Sequence, residues 1–358
     1  MSDSKYEAFM GLWPAQVPHW EHWSDPDAET YLTGIDYYEH PRLCRLKMRQ
    51  LYPELSLKIP DSDTPKVRPA ADDTANNKVR WGESQTATFK HGEQYFKTPE
   101  DVLAFHPLEH ADMRDWPHVV VNFDYSSEES IKKELAARKG LPLPWGKPEP
   151  CIASESNFYN TTFMWPLLTF GWELFLECCL EPEFEGIMEE FAEINRRVFR
   201  VLAQLPVNFI TCHDDIVNTR GPICSPKWMH KYVFPRYEEY WDILHKAGKE
   251  VIFMVDGCVD RYADDIFACG ARGIISEPYT DYKAIAKKHK DCFLAGEGDN
   301  RVLCRNDPAE IRAMVEKMVE TASMCGGYMM CIGNHIPWNV PGEAVKRYLE
   351  LSRELGKR

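Results

Sequence analysis

Five short apolar runs in the second half of the chain constrain its fold most strongly, because each is followed by acidic or metal-capable side chains. The runs are residues 207–211, 251–255, 273–276, 292–296 and 328–332. Stretches with helical periodicity join most of them. Alternating strand and helix patterns predict a parallel sheet covered by helices. We therefore predict an α/β fold, a (β/α)8 TIM barrel with an N-terminal helical and hairpin extension.

The side chains that follow the runs predict where a functional site lies. In chain order they are Cys212, His213, Asp214, Asp215, Asp256, Glu277, Glu297, Asp299, Cys331, Asn334 and His335. In a closed parallel barrel the C-terminal ends of all strands open on one face, so these groups are expected to converge on one pocket. Such an acid can instead cap the next helix. Capping does not explain Glu277 before Pro278 or Glu297 before Gly298.

The length of 358 residues fits one barrel with insertions. Residues 1–115 are predicted to form a helical arm and a hairpin, centred on 78–97, that pack on a barrel of residues 116–358. The aromatic arm could form the seam of a homodimer. The first barrel strands are expected at 119–122 and near 151–154.

Helix signals are clearest in four places. Residues 184–205 carry apolar side chains on one stripe, as a helix packed on a sheet requires. Ser225-Pro226 and Thr98-Pro99 pair a capping side chain with a proline at the first helical position. Residues 307–310 read Asp-Pro-Ala-Glu, a capping-box pattern.

Composition narrows the class of partner. The net charge of −14 argues against nucleic acid or an anionic membrane. Twelve scattered cysteines without a Cys-x-x-Cys pair predict reduced thiols in the cytoplasm. The first residues lack a secretion signal, and no apolar stretch is long enough to span a bilayer.

From about residue 207 onward, the order of short motifs resembles the uroporphyrinogen decarboxylase superfamily. The motifs are Asp214-Asp215, Gly221-Pro222, Ser225-Pro226, Val255-Asp256-Gly257, Gly270, Pro278, residues 296–299, Gly326-Gly327-Tyr328 and Asn339-Val340-Pro341. The match covers roughly the last 150 residues well and the first 200 loosely. The resemblance implies a barrel and one of two activities: tetrapyrrole decarboxylation, or methyl transfer to or from a corrinoid.

The decarboxylase branch carries an Arg-rich N-terminal motif that holds the carboxylates of its substrate. Residues 48–53 here read Met-Arg-Gln-Leu-Tyr-Pro, without the second Arg and the Gly of that motif. Arg42, Arg45 and Arg49 fall at helical spacing and are expected to form a solvated helix face. An acid-lined pocket is also a poor host for a polyanion.

Among the methyltransferases, the branch that acts on coenzyme M binds zinc through His-x-Cys-Gly and a later Cys. Here residues 254–257 read Met-Val-Asp-Gly, and Asn334 stands in the later place. The resemblance therefore implies an oxygen-rich zinc site, suited to polarising an ether oxygen. Its expected ligands are Asp256, Glu277, Glu297 and Cys331.

We therefore predict the first methyltransferase of a corrinoid-dependent O-demethylase, which passes the methyl group of a methoxylated aromatic to cob(I)alamin on a partner corrinoid protein. Expected catalytic residues are Asp256, Asp215 and His335. Expected substrate contacts are Asp214, Phe158, Tyr159, Trp165, Asn334 and Trp338.

Several of these residues could instead have purely structural roles. The aromatic segment 154–165 could be core packing, and Cys331 could be a small core residue. His335 could hold a backbone carbonyl. Asp214 and Asp215 are adjacent, so only one can point inward. For the whole chain, the alternatives are a tetrapyrrole decarboxylase and a degenerate barrel that docks a corrinoid protein.

Overall fold

The computed structural model describes residues 16–55, 57–68, 96–115, 123–137, 152–153, 161–205, 207–337 and 340–357. The chain divides into two compact units. The first comprises Met1–Thr88 and Ile275–Arg358, and the second comprises Phe89–Ile274. The predicted strand at 119–122 and nearly all of the predicted hairpin lie outside the described residues. The division at residue 115 stays a prediction.

Each of the five apolar runs overlaps a strand of the structure, and each of those strands begins within two residues of the predicted start. The strands are β1 Trp23–Ser24, β2 Ile152–Ala153, β3 Phe209–His213, β4 Val217–Asn218, β5 Gly221–Pro222, β6 Glu250–Met254, β7 Gly273–Ile275, β8 Phe293–Ala295, β9 Gly327–Met329 and β10 Ile336–Pro337. The two residues of β2 also confirm a strand near 151–154.

Helices alternate with these strands, which confirms the α/β class. They are α1 Pro26–Thr33, α2 Pro41–Leu51, α3 Pro99–Leu103, α4 Glu128–Ala137, α5 Met164–Phe170, α6 Trp172–Cys178, α7 Phe184–Leu202, α8 Pro226–Tyr232, α9 Phe234–Lys246, α10 Ala263–Ala268, α11 Tyr282–Lys288, α12 Asn300–Arg305, α13 Pro308–Ala322 and α14 Gly342–Leu355. Short 3-10 turns lie at Pro53–Leu55 and Pro107–His110. Across the described residues, no helix combines the length and apolar character that a membrane crossing requires.

Parallel pairing organises the second unit. Strand β3 lies between β2 and β6, and its register with β6 runs from Phe209 opposite Glu250 to His213 opposite Met254. All five residues of β3 are buried, as expected for a strand covered on both faces. Helix α7 packs against α9 beside this sheet through the predicted apolar stripe, whose members are buried from Phe184 to Leu202.

The first unit joins the two ends of the chain. Strand β1 pairs in parallel with β10, and β8 pairs in parallel with β9. The buried carboxylate of Glu21 accepts hydrogen bonds from the Tyr348 hydroxyl at 2.6 Å and the Ile332 backbone N–H at 3.0 Å. His19 Nε2 lies 2.7 Å from the same carboxylate. One acidic side chain thus fastens the N-terminal segment to α14 and to the loop after β9.

Three predicted helix starts are confirmed. Thr98 and Asp101 form a complete capping box on α3. The Ser225 hydroxyl accepts from the Trp228 N–H on α8. Asp307 caps α13, but the Glu310 carboxylate binds Arg305 instead of closing the predicted box.

The predicted solvated face of α2 is wrong for Arg45. Its guanidinium donates two hydrogen bonds to the fully buried Glu29 carboxylate, one of them 2.6 Å from Nη2 to Oε1. A buried carboxylate needs such a partner because desolvation penalises its charge. Arg42 and Arg49 are exposed, as predicted.

We expect Arg45→Ala to lower the free energy of unfolding by about 3–5 kcal/mol, because it leaves Glu29 buried and unpaired. Arg49→Ala, on the exposed face of the same helix, should change it by less than about 0.5 kcal/mol. Chemical denaturation of both variants checks this. Equal losses of stability in the two variants would contradict a stabilising role for the ion pair of Arg45 and Glu29.

Asp25 is a second buried acid in this unit. Its Oδ1 caps α1 by accepting from the Ala28 N–H at 2.9 Å, and its Oδ2 has no hydrogen-bond partner among the described residues. Burial and the charges of Asp27 and Glu29 raise the pKa of Asp25 from 3.8 to about 8, against the hydrogen bond from Ala28.

We expect Asp25→Asn to stabilise the protein at high pH. Between pH 3.8 and about 8 the native state keeps a proton on Asp25 that the unfolded chain releases. This residue therefore favours folding most at low pH, and its contribution is lost as the pH rises. Denaturation from pH 4 to 9 should show the variant more stable than the natural protein at pH 9 by more than about 1 kcal/mol, with the gap closing toward pH 4. A constant difference would refute the raised pKa.

Candidate functional site

The C-terminal ends of β3 and β6 bring three predicted or metal-capable residues together. His213 is the last residue of β3, Asp215 follows two residues later, and Asp256 lies two residues beyond β6. The two strands end level because His213 pairs with Met254. The Asp214 N–H extends the pairing by donating to the Met254 carbonyl at 3.1 Å.

Hydrogen bonds hold the three side chains in one cluster. His213 Nε2 lies 2.9 Å from Asp215 Oδ1, and the Asp256 backbone N–H donates to the same oxygen at 2.8 Å. One ligand atom from each of His213, Asp215 and Asp256 lies within 4.8 Å of the other two. The His213 and Asp215 side chains are only 5% and 21% exposed. The ligand atoms of the cluster therefore lie close together, and the cluster is partly accessible to solvent.

The electrostatics of the cluster favour a positive charge. Burial disfavours protonation of the His213 ring, but the charge and hydrogen bond of Asp215 and the charges of Asp256 and Asp214 outweigh it and raise the pKa of His213. The acids would stabilise a bound cation for the same reason.

The donor set also fits a metal ion. Zinc binds imidazole nitrogen and carboxylate oxygen at about 2.0–2.2 Å, so its ligand atoms must lie within a few ångströms of one another. The cluster meets that condition. Three protein ligands leave a fourth position for substrate or water, as in catalytic zinc sites.

Gly257 allows the chain to turn sharply after Asp256. Its φ is +108°, and a Cβ atom there would lie 2.6 Å from the backbone of Asn218 in β4. The Cys258 N–H donates to the Asn218 carbonyl at 2.9 Å. The missing side chain at Gly257 admits the chain's own backbone, and this contact fixes the loop that carries Asp256.

Asp214 has a structural role instead of the predicted contact with substrate. Its fully buried carboxylate accepts hydrogen bonds from the backbone N–H groups of Thr162, Phe163 and Met164 at 2.7–2.9 Å. The Tyr237 hydroxyl donates a fourth at 2.6 Å. Burial raises the pKa of Asp214 to about 6, although these hydrogen bonds oppose the shift. Asp214 thus fastens the start of α5 to the end of β3, while Asp215 enters the cluster.

Trp165 belongs to the core. It is 1% exposed and packs against Tyr125 and Phe191, with ring centroids 5.0 and 5.7 Å away. This matches core packing and corrects the predicted role of Trp165 in stacking with substrate. The predicted contacts Phe158, Tyr159 and Trp338 lie outside the described residues.

The contacts of Glu297 argue against its predicted role as a metal ligand. Its buried carboxylate accepts from the Tyr328 hydroxyl at 2.9 Å and the Thr321 hydroxyl at 3.1 Å, and Lys317 Nζ lies 3.2 Å away. These donors belong to β9 and α13. Glu297 therefore anchors helix α13 against the strands of the first unit.

The other predicted metal ligands lie in the first unit without forming a second cluster of three such groups among the described residues. Glu277 is buried and lines a small cavity. The other lining residues are Pro278, Tyr279, Asp299, Asn300, Arg301 and Gly333. Cys331 is buried as well, in keeping with its alternative interpretation as a core residue.

His335 is held neutral. Burial and the neighbouring His22 lower the pKa of His335 to about 4. Its Nδ1 lies 2.5 Å from Asn334 Oδ1, and Asn334 has a left-handed φ of 64°. A neutral imidazole can accept a proton but cannot donate a charge-neutralising one near pH 7. This limits the predicted catalytic role of His335.

His213 is the residue that the predicted ligand set missed. The signal was present in the sequence, since side chains alternate along a strand and residues 213 and 215 therefore share a face that 214 does not. Alternation at the end of β3 would have selected His213 with Asp215 and assigned Asp214 to the opposite side.

Comparisons with known proteins agree with this fold. The model of the uroporphyrinogen decarboxylase (URO-D) family matches residues 176–355, half of the chain. A solved methyltransferase from Methanosarcina mazei is 14% identical, with 98% of this chain and 97% of that chain covered and a TM-score of 0.54. The fold of the URO-D family is a TIM barrel, so the predicted fold class is confirmed.

Two other results carry no functional information. A tryptophan synthase structure from M. tuberculosis is 14% identical, with 47% of this chain and 88% of that chain covered and a TM-score of 0.21. No curated protein matches the chain.

We expect the metal-free protein to bind Zn²⁺ through the cluster. His213→Ala, Asp215→Ala and Asp256→Ala should each weaken binding by more than about 10–100-fold, the loss typical of removing only an outer partner of a ligand. Titration against a competing chelator measures this. Glu277→Gln and Cys331→Ser serve as controls, and loss of binding in these two alone would favour the ligand set predicted from sequence.

Proposed function

Because this chain belongs to the uroporphyrinogen decarboxylase family, we propose that it is a corrinoid-dependent methyltransferase that demethylates methoxylated aromatics. The methyl group of a phenyl methyl ether would pass to the Co(I) corrinoid of a partner protein. The observation that carries the proposal is the His213, Asp215 and Asp256 cluster at the ends of two parallel strands.

The chemistry explains why such a cluster is needed. An ether methyl group is a poor electrophile because its leaving group is a phenolate, so negative charge develops on the oxygen as the bond breaks. Groups that neutralise this charge in a partly dehydrated site accelerate the reaction. A Co(I) corrinoid supplies the strong nucleophile when the partner delivers it.

One route to neutralisation uses a metal. A zinc ion held by His213, Asp215 and Asp256 would act as a Lewis acid toward the ether oxygen. The chain orients these ligands itself: Asp215 Oδ1 receives the Asp256 N–H and faces His213 Nε2. The close packing of Gly257 on Asn218 fixes the Asp256 loop. The ligands are thus positioned by backbone contacts before any ion binds.

The second route uses the same residues without a metal. The raised pKa of His213 favours its protonated ring, which could give a proton to the leaving oxygen as a general acid. Asp215 would then orient the ring. Metal content of active protein distinguishes the two routes.

The surroundings give less support to a tetrapyrrole decarboxylase. Its substrate would present many carboxylates to a cluster that already holds two acids. Arg45, one helical turn before the incomplete decarboxylase-type motif, is engaged by the buried Glu29. A docking barrel without activity is also less favoured, because three metal-capable side chains lie together at the ends of two strands.

We expect the purified protein to methylate cob(I)alamin under anaerobic conditions when given a methoxylated phenol, followed by the loss of the Co(I) absorption. His213→Ala and Asp256→Ala should lower kcat by at least about 100-fold, the loss seen when a charge-stabilising group is removed. Asp260→Asn, an exposed acid four residues beyond Asp256, is the matched control.

The opposing result is equally specific. Tight, cobalamin-independent binding and decarboxylation of a polycarboxylated porphyrinogen would replace this proposal with the decarboxylase. If activity survives complete removal of metal and still requires His213, the general-acid route is supported and the zinc route is excluded.

A further inference from the structure

Helix α6 exposes an apolar stripe that the core does not use. Trp172, Leu176 and the adjoining Leu180 recur every four residues and are 38%, 43% and 78% exposed. Trp172 and Leu176 are four apart on the helix and therefore share one side, and Leu180 follows two residues after the helix ends. The three side chains are called the α6 stripe below.

The buried side of α6 packs against the protein through Phe175 and Cys178. Phe175 is fully buried, with ring centroids 5.3 Å from Phe163, 5.9 Å from Phe184 and 6.0 Å from Trp228. A second apolar side on a short surface helix is a recurrent mark of an interaction site.

Acidic side chains accompany the α6 stripe. Each member is followed by an exposed glutamate: Glu173, Glu177 and Glu181. No ion pair involves these three glutamates among the described residues of the chain. The sequence from 172 to 195 contains eight glutamates and no lysine or arginine. The apolar side chains of the α6 stripe are therefore surrounded by negatively charged ones.

Contacts tie α6 to the segments that follow β3. At its far end, the Trp228 indole N–H donates to the Cys179 carbonyl at 2.9 Å, and Trp228 lies on α8 just after the β4–β5 hairpin. Upstream, α5 begins at Met164, whose N–H binds Asp214 beside the cluster. A partner seated on the α6 stripe would therefore be attached to the same elements that position His213 and Asp215.

We propose that the α6 stripe docks a partner protein whose apolar patch is rimmed by lysine and arginine, and that this partner is the corrinoid carrier. The choice of carrier rests on the function proposed above. Charge complementarity selects the chemistry of the partner, because interfaces match opposite potentials. Two copies of this chain meeting through the same face would bring acids against acids, and anionic lipid or nucleic acid would be repelled.

The test compares a carrier-bound corrinoid with the free one. The triple variant Trp172→Gln, Leu176→Gln, Leu180→Gln replaces the apolar side chains of the α6 stripe with polar ones that a helix tolerates. Its kcat/KM for the cobalamin-loaded carrier protein should fall at least about 10-fold, as when anchor residues of an interface are lost. Its rate with free cob(I)alamin should stay within about 2-fold of the natural protein, because the cluster is untouched. The double variant Leu43→Gln, Leu46→Gln removes exposed leucines of α2 and is the control.

A direct binding measurement separates this inference from the proposed function. Calorimetric titration of the purified carrier into the natural protein and the triple variant reports docking without turnover. If the natural protein methylates neither form of corrinoid, the proposed function fails, and carrier binding still decides the interface.

Three results would overturn the α6 stripe as the docking site. The first is unchanged carrier binding in the triple variant. The second is that the natural protein sediments as a dimer and the triple variant sediments as a monomer. The third is carrier binding that does not weaken with added salt, since opposite charges at an interface are screened by ions. Glu173→Gln, Glu177→Gln, Glu181→Gln should reduce the salt dependence if the acids face a basic rim.

Discussion

The parallel pairing of β3 with β6 is the constraint on which the candidate site depends. The hydrogen bonds of the two strands place His213 opposite Met254, and the pairing continues past the strand ends through Asp214. Asp215 then receives the backbone of Asp256. A shift of one residue in this register would turn the side chains of one strand to its other face. The register of the two strands therefore sets the geometry of the cluster.

The two adjacent aspartates show how the sheet divides chemical roles. Asp214 enters the buried side, where four donors surround it. Asp215 reaches the partly exposed side with His213. Identical side chains thus serve as a structural anchor and as a candidate ligand because they stand on opposite faces. The anchor also matters to the site, because it fixes the segment that leads into α5.

Local patterns made much of the fold predictable. Apolar runs located β3 and β6–β9, and capping chemistry located the starts of α3, α8 and α13, because these signals act over a few residues. The site was less predictable. The sequence pattern identified Asp215 and Asp256 as candidate site residues. The roles of Glu297 and Trp165 depend instead on which neighbours face them. Tyr328 and Thr321 occupy the Glu297 carboxylate, and no local pattern in the sequence indicates that contact.

The contact between Glu21 and Tyr348 joins residues 327 positions apart in sequence. The unit that contains it is built from both ends of the chain, whereas the unit from Phe89 to Ile274 is continuous. Contacts between distant residues form slowly because a long loop must close first. During synthesis, domains fold as units as they emerge. The continuous unit can therefore acquire its β3–β6 pairing on the ribosome, while His19 and Glu21 must wait for the last helix, with their polar groups in water until it arrives.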